Sequence, residues 1–341
     1  MTLLPRHGMI LTAIVCLAAV TRLWGIDFGL PHLNARPDET GITIIALNFF
    51  SGDLNPHFFR YPSLYFYALT PLYGAYAGLR LLAGASRADL LTEIATDPSV
   101  YVLISRSLSA SFGIATILLL YALAKRIADR RTALLSSYLL ATCYLHVRES
   151  HFGLLDVTMT FWIVLATYFL VRILTEPEQD RWYGMAGLAS GIAASTKYAG
   201  VFLFAGLIIA WASNQRLEWK FSSILRNKQI RWYVISAVGG FLVFTPFALL
   251  DFSSFLSDVR AEAQHLKEGH AGITDQIGLV YHLRYSLLHG VGFPVLAATC
   301  FGFVAMYREQ LTTALTILPF PLIYYLTAGT GLTVFLGMSS R

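Results

Sequence analysis

An adjacent pair of acids, Asp38-Glu39, follows the first apolar segment and has the side chains that proton transfer requires. The pair lies in a long polar stretch, from Asp27 to Asp53, of a chain that is otherwise strongly apolar. Acidic side chains at a membrane surface are costly unless a function uses them. Their position in the first loop therefore predicts a catalytic carboxylate that meets a lipid-borne substrate.

Further polar residues are expected on the same face of the membrane as this pair. They are Arg36, Arg60, Tyr61, His151, Asp156 and Lys197. Cations at such a site can hold an anionic lipid headgroup, and a carboxylate can take a proton from a nucleophile. The set as a whole indicates a site where a hydroxyl group is activated beside a bound phosphate.

Each of these residues also has a plainer interpretation. Asp38 or Thr40 could cap a short interfacial helix over residues 41–50, and Asp156 could cap the fourth span. His151 could be bonded locally at the interface. The long side chain of Arg60 could reach the lipid headgroups.

Lys197 is harder to explain as a structural residue. It interrupts a long apolar stretch, where a lone ammonium group needs an anion or water. A contact with phosphate is therefore the favoured interpretation. His265 and His270 lie in a charged loop that completes no metal set, so no metal ligands are predicted.

Composition indicates an integral membrane protein. The chain has 341 residues, of which 56% are hydrophobic and 13% charged, and its mean hydropathy is +0.58. A soluble chain of this length would need more surface charge, so the net charge of +5 is no sign of nucleic-acid binding. Cys16, Cys143 and Cys300 are far apart and predict neither a disulfide framework nor a metal site.

Apolar stretches of spanning length predict an all-α, polytopic fold. They occur at about 8–26, 100–123, 132–148, 155–174, 183–213, 231–250, 285–306 and 311–329. The 183–213 stretch is too long for one span and is divided by Lys197, so it is predicted to form two short helices. The expected total is about nine spans within a single domain, residues 1–341.

The distribution of positive charge orients these spans. Clusters such as Lys125–Arg131 predict cytoplasmic loops, which places the N-terminus in the cytoplasm and residues 27–99 outside. Segment 62–84 then makes no net crossing, and its tyrosines predict a re-entrant or interfacial helix. The alternative is an ordinary span at 62–84 with the downstream topology inverted.

The order and spacing of several motifs resemble the GT-C superfamily of membrane glycosyltransferases. The resemblance is to the branch with dolichyl-phosphate-mannose–protein mannosyltransferases, lipid A aminoarabinose transferases and lipopolysaccharide galacturonosyltransferases. The motifs are Arg36-Pro37-Asp38-Glu39, Tyr61 to Tyr67, Arg106 to Ser109, His146 to Asp156, and Gly187 to Gly200 with Ser195-Thr196-Lys197-Tyr198.

This resemblance implies an inverting hexosyl- or pentosyltransferase of the plasma (inner) membrane. It would move a sugar from a polyprenyl-phosphate donor to an extracytoplasmic glycolipid, lipopolysaccharide, polysaccharide or protein. Asp38-Glu39 matches the catalytic acid of the family, with Asp38 preferred as base and Glu39 as support. No cofactor is required, a divalent cation is possible, and the expected partners include membrane lipids but no nucleic acid.

Two departures from the family pattern matter. Some relatives have Lys-Pro-Pro where this chain has Tyr61-Pro62-Ser63, so Arg60 or Lys197 would replace the phosphate-binding lysine. Relatives usually carry further spans, so the sequence is expected to be truncated at its C-terminus.

Two other classes of protein compete with the transferase. A transporter would place ionisable residues near mid-membrane, often within inverted repeats, and no repeat is visible in this sequence. A non-catalytic subunit of an envelope glycan assembly complex would resemble the enzyme in sequence. Mutation of Asp38 separates the transferase from both.

Overall fold

The chain folds into helices because a backbone in lipid must satisfy its N–H and C=O groups internally. The computed structural model describes residues 6–33, 36–214, 226–268 and 278–330. Within these ranges it contains helices and no strands. The all-α fold predicted from the sequence is confirmed.

The helices are numbered here in chain order. The first nine are α1 (Arg6–Leu23), α2 (Pro37–Asn48), α3 (Leu64–Leu82), α4 (Arg87–Thr96), α5 (Ser99–Ile127), α6 (Arg130–Thr142), α7 (Tyr144–Ser150), α8 (Leu155–Thr175) and α9 (Asp180–Thr196). A 3₁₀ segment (Tyr198–Phe202) precedes α10 (Leu203–Ser213), α11 (Lys228–Phe244), α12 (Phe247–Leu250), α13 (Phe252–Glu268) and α14 (Gly278–Tyr281). A π-helical segment (His282–Gly292) leads into α15 (Phe293–Glu309), α16 (Leu311–Ile317) and α17 (Pro319–Thr330).

Five helical stretches in the described ranges are long and apolar enough to cross a membrane. They are Arg6–Leu23, Ser99–Ile127, Leu155–Thr175, Gly278–Glu309 and Leu311–Thr330. The total of nine spans stays a prediction. The predicted span at 132–148 is not a single helix. It is divided at Cys143, whose extended backbone (φ −65°, ψ 116°) separates α6 from α7.

Helices α9 and α11 pack closely because glycines let their backbones approach. A Cβ atom at Gly187 would lie 2.2 Å from the carbonyl oxygen of Tyr233, and one at Gly191 would lie 2.0 Å from that of Ala237. Small residues four apart are a common means of helix packing in membranes. This contact fixes the end of α9 beside one face of α11.

The predicted division of residues 183–213 is confirmed. Helix α9 ends at Thr196, and Lys197 adopts an extended conformation (φ −143°, ψ 140°) before the 3₁₀ segment begins. Extended backbone at this point turns the Lys197 side chain out of the helical row that precedes it. The break therefore presents an ammonium group at the junction of two apolar helices.

The first loop differs from expectation at the start of its short helix. Helix α2 begins at Pro37, with Arg36 as N-cap and no side-chain capping bond, so the prediction that Asp38 or Thr40 caps a helix over 41–50 is wrong. Proline suits the first helical position because its missing N–H would be unpaired there anyway. The earlier start places both acids in the first turn of α2.

One side of helix α3 is packed against the rest of the protein. Tyr65 and Tyr73 are fully buried, and the Tyr65 hydroxyl donates to the carbonyl oxygen of Ser105 at 2.9 Å. Both tyrosines therefore contact protein rather than lipid, and the re-entrant or interfacial helix at 62–84 stays a prediction. Whether 62–84 lies outside the cytoplasm stays a prediction.

Candidate active site

A cavity of about 1620 Å³ lies between the first loop, the break at Lys197 and the helices that follow. Its walls come from α2, α9, α11, α13 and α17. The charged and hydroxyl-bearing residues that line it include Asp38, Arg60, Tyr61, Lys197, Tyr198, Glu262 and Tyr324. Four of the residues singled out from the sequence thus lie on one cavity.

Asp38 presents its carboxylate to this cavity from the first turn of α2. Its side chain is 58% exposed, and its nearest cation, Nη2 of Arg36, lies 3.8 Å from Oδ2. That distance is too long for a hydrogen bond. The positive end of the helix dipole favours a negative charge here, so Asp38 is an accessible anion available to accept a proton.

Glu39 points the opposite way and is buried. Its Oε1 accepts from Arg106 Nε at 2.9 Å and from the backbone N–H of Gly153 at 2.6 Å, while Oε2 accepts from Arg106 Nη2 at 2.7 Å. Both oxygens are therefore occupied by protein groups. Glu39 ties α2 to α5 and to the turn before α8.

Arg106 supports the site, although the sequence motif that contains it predicted no role for this residue. Its Nη1 also donates to the carbonyl oxygens of Ile26 and Phe28, at 2.9 and 2.8 Å. The sequence signal that could have identified it is an arginine within an apolar helix. An ionisable residue in such a helix usually faces the protein interior and pairs with another group. The partner of Arg106 proves to be the acid beside the expected base.

Lys197 forms an ion pair with Asp156, with Nζ and Oδ1 2.6 Å apart. The side chains are 27% and 37% exposed, so both remain accessible. Asp156 lies in the first turn of α8, whose N-cap is Leu154 without a side-chain capping bond. The capping interpretation of Asp156 is therefore wrong: its carboxylate holds the lysine.

The hydroxyl of Tyr61 lies among the charged groups of the site. Burial raises the pKa of its hydroxyl, the charge of Lys197 lowers that pKa, and the carboxylates of Asp38, Glu262 and Asp156 raise it further. Four charged groups therefore lie near enough to this hydroxyl to change its pKa. Arg60, next to it in the chain, is exposed and lines the same cavity.

Arg36 and His151 are not among the residues that line the cavity. The Arg36 guanidinium lies 4.8 Å from the centre of the Phe152 ring. His151 places Nδ1 2.9 Å from the carbonyl oxygen of Val147 and Nε2 3.1 Å from that of Trp24. These contacts agree with local bonding of His151, and its role in substrate binding stays a prediction without a supporting contact.

Much of the remaining cavity wall is apolar and reaches the surface of the protein. Val234, Val238 and Phe241 line it from α11, and Leu249 lines it from α12. Val238 is 52% exposed and Leu249 62% exposed. A charged end continuous with an open apolar wall fits an amphiphile whose tail extends into the bilayer.

Helix α13 contributes cavity residues that the sequence reasoning did not select. Its Asp258 accepts from the backbone N–H of Phe59 at 2.7 Å, and the ring of Phe255 packs against Phe59 and Tyr198. His265, expected to be solvated, also lines the cavity; His270 lies outside the described residues. No three His, Cys, Asp or Glu side chains are grouped to hold a metal ion in the described ranges.

Comparisons with known proteins identify the family of this chain. A family model described as dolichyl-phosphate-mannose-protein mannosyltransferase matches residues 71–256, more than half of the chain. Dolichyl-phosphate-mannose–protein mannosyltransferase 1 of Saccharomyces cerevisiae is 31% identical over 185 residues, which are 51% of this chain and 22% of the relative. The chain thus spans about a fifth of the length of that curated relative.

Two solved structures share the fold. The S. cerevisiae protein O-mannosyltransferase Pmt1-Pmt2 complex bound to the sugar donor aligns with a TM-score of 0.51 and 20% identity, covering 75% of this chain and 35% of that chain. The Archaeoglobus fulgidus oligosaccharyltransferase in the apo form aligns with a TM-score of 0.54 and 12% identity, covering 96% and 49%. The resemblance inferred from the ordered motifs is confirmed: the chain belongs to the dolichyl-phosphate-mannose-protein mannosyltransferase family.

Proposed function

We propose that this chain is an inverting membrane glycosyltransferase that moves a sugar from a polyprenyl-phosphate donor to a hydroxyl group of an acceptor. The supporting observation is one cavity that joins an accessible carboxylate, Asp38, to two cations, Arg60 and Lys197, and to an apolar wall open at the surface. The donor has the same three parts: a reacting sugar, a phosphate and a lipid tail.

Asp38 is the general base in this mechanism. It accepts the proton of the acceptor hydroxyl as that oxygen forms a bond to the anomeric carbon. The bond between the anomeric carbon and the phosphate oxygen breaks, and its electron pair leaves with the polyprenyl phosphate. Attack from the face opposite the phosphate inverts the anomeric configuration.

Lys197 and Arg60 hold the phosphate before and after this step. An ammonium group has three donors, and the hydrogen bond to Asp156 uses one of them. The others remain for phosphate oxygens, where positive charge stabilises the leaving group. Asp156 is thus a positioning residue, and Glu39 holds the helix that carries Asp38.

The curated yeast relative is named for a dolichyl-phosphate-mannose donor and a protein acceptor. A polyprenyl-phosphate sugar and a protein are accordingly the first substrates to test here, with glycolipid, lipopolysaccharide and polysaccharide acceptors as alternatives. The mechanism requires no cofactor. A chelator in the assay tests whether a divalent cation contributes.

We place the reaction on the extracytoplasmic face of the plasma membrane, because the basic loops predict that the first loop lies outside. Leu91 on α4 is 67% exposed and suits a cysteine probe. In a variant without Cys16, Cys143 and Cys300, Leu91→Cys should react with an impermeant maleimide in intact cells. Labelling only after lysis would contradict this orientation.

The deciding experiment is Asp38→Asn in proteoliposomes, with transfer of labelled mannose from dolichyl-phosphate mannose and donor binding measured in parallel. We expect binding within twofold of wild type and a rate lower by about a hundred- to ten-thousandfold, the usual contribution of positioned proton transfer. The matched control is Asp27→Asn, which removes an exposed acid of the same loop that does not line the cavity. Turnover near wild type in Asp38→Asn would rule out Asp38 as the base and favour a transporter or a non-catalytic subunit.

A further inference from the structure

Glu262 brings a fourth charge to the cavity, beside those of Asp38, Arg60 and Lys197. It lies on α13, which is attached to the loop by the hydrogen bond from the Phe59 N–H to Asp258 and by the packing of Phe255. Asp258 and Glu262 are four residues apart and therefore share a helical face. The attachment that fixes Asp258 thus also fixes the direction of Glu262.

The Glu262 carboxylate is half-buried, and within the described ranges it forms no hydrogen bond or ion pair. Its negative charge nevertheless acts on the hydroxyl of Tyr61 across the cavity. A carboxylate that loses water without gaining donors is costly. A lipid-linked ligand that fills the cavity must therefore supply hydrogen-bond donors at this position.

The distribution of charge decides which part of such a ligand reaches Glu262. Lys197 and Arg60 attract a phosphate, whereas Glu262 repels one. A phosphate held by the cations turns its sugar toward the part of the cavity that contains the carboxylates. Sugar hydroxyls are donors of the kind that a carboxylate oxygen accepts.

We propose that Glu262 is a specificity-determining residue that accepts hydrogen bonds from the hydroxyls of the donor sugar and excludes sugars bearing a carboxylate. The inference rests on the proposed function and narrows its donors to neutral or amino sugars linked to polyprenyl phosphate. Residue 262 lies beyond the family-matched segment, 71–256, so the family match assigns it no role.

Binding of three lipids to the purified protein in nanodiscs tests this proposal. The probes are dolichyl phosphate, dolichyl-phosphate mannose and the corresponding hexuronate, dolichyl-phosphate mannuronate. For Glu262→Ala we expect binding of the mannose lipid to weaken by about ten- to a hundredfold, because hydrogen bonds to charged groups are strong. Binding of dolichyl phosphate should stay within twofold of wild type.

Glu262→Gln separates hydrogen bonding from charge. It retains an amide of similar size and removes the repulsion, so it should bind the hexuronate lipid more tightly than wild type does. The control, Glu178→Gln, changes an exposed glutamate outside the cavity and should leave all three affinities unchanged. Equal weakening of dolichyl phosphate and dolichyl-phosphate mannose in Glu262→Ala would overturn the proposal, as would equal wild-type affinity for the mannose and hexuronate lipids.

The binding measurements distinguish this inference from the proposed function. Wild-type protein that shows the expected binding pattern but transfers no sugar would support the role of Glu262 and contradict catalysis. Transfer of mannose with unchanged sugar discrimination in Glu262→Ala would support catalysis and contradict the role of Glu262. Wild-type protein that binds none of the three lipids would overturn both.

Discussion

Two ion pairs of nearly equal length support the candidate site. Arg106 and Glu39 approach to 2.7 Å with their side chains 1% and 2% exposed. Lys197 and Asp156 approach to 2.6 Å with theirs 27% and 37% exposed. Burial, rather than distance, distinguishes them.

The buried pair is bonded almost entirely to protein groups, whereas the accessible pair is not. Glu39 accepts three hydrogen bonds, Arg106 donates four, and both side chains are buried, so neither is accessible to a ligand. Lys197 makes one hydrogen bond to Asp156 and faces a cavity. The comparison indicates that the first pair positions α2 and that the second pair can exchange partners with a substrate.

The largest effect is expected at the buried pair. Arg106→Ala leaves Glu39 charged and unpaired, which costs about 3–5 kcal/mol when the site is buried. We expect loss of folded protein, measured as thermal unfolding in detergent and as recovery of the monodisperse form. Stability equal to wild type would contradict a positioning role for this pair.

A double variant separates the charge from the packing. Glu39→Gln combined with Arg106→Met removes both charges and keeps most of the volume, so it should recover much of the stability that Arg106→Ala loses. Replacement of a buried pair by apolar groups is often nearly neutral. No recovery would show that the hydrogen bonds to Ile26 and Phe28 matter more than the ion pair.

The sequence predicted the helical fold and the residues of the accessible site better than it predicted the buried pair. Lys197 could be selected without coordinates because it interrupts an apolar stretch. Asp38, Arg60 and Tyr61 could be selected because they lie in the polar first loop. The different directions of Asp38 and Glu39 could not be predicted. They depend on the start of α2 at Pro37, which rotates adjacent residues by about 100° around the helix.

Long-range pairing explains the other differences from expectation. Asp156 and Lys197 are 41 residues apart, and no local pattern connects them. The cap predicted for Asp156 was a local interpretation, and a distant lysine took the carboxylate instead. Glu262 was missed because α13 is strongly amphipathic, which makes its charged residues look like an ordinary solvated face.

A smaller effect is expected at the lysine of the accessible pair. Lys197→Ala should weaken binding of dolichyl phosphate by about ten- to a hundredfold, because it removes charge-assisted hydrogen bonds to the phosphate. Lys197→Arg keeps the charge and should lose less. Binding is measured by titration of the lipid into protein in nanodiscs.

The chain contains a matched control for this experiment. Lys228 and Asp180 also form an ion pair of 2.6 Å, away from the cavity at Lys197. Lys228→Ala should leave the affinity for dolichyl phosphate unchanged. An equal loss in Lys228→Ala and Lys197→Ala would mean that net charge near the membrane, and not Lys197 itself, controls lipid binding.

The smallest effect is expected for Asp156→Asn, which changes the other partner of the accessible pair. The amide oxygen still accepts a hydrogen bond from Lys197, so the lysine keeps its place while its counter-charge is lost. Removal of that competing anion should leave dolichyl phosphate binding equal or up to a few times tighter, since a partly exposed pair contributes about 1 kcal/mol or less. Stability should change little for the same reason. If Asp156→Asn instead unfolded the protein as Arg106→Ala is expected to do, the accessible pair would be structural as well, and the proposed division of roles between the two pairs would fail.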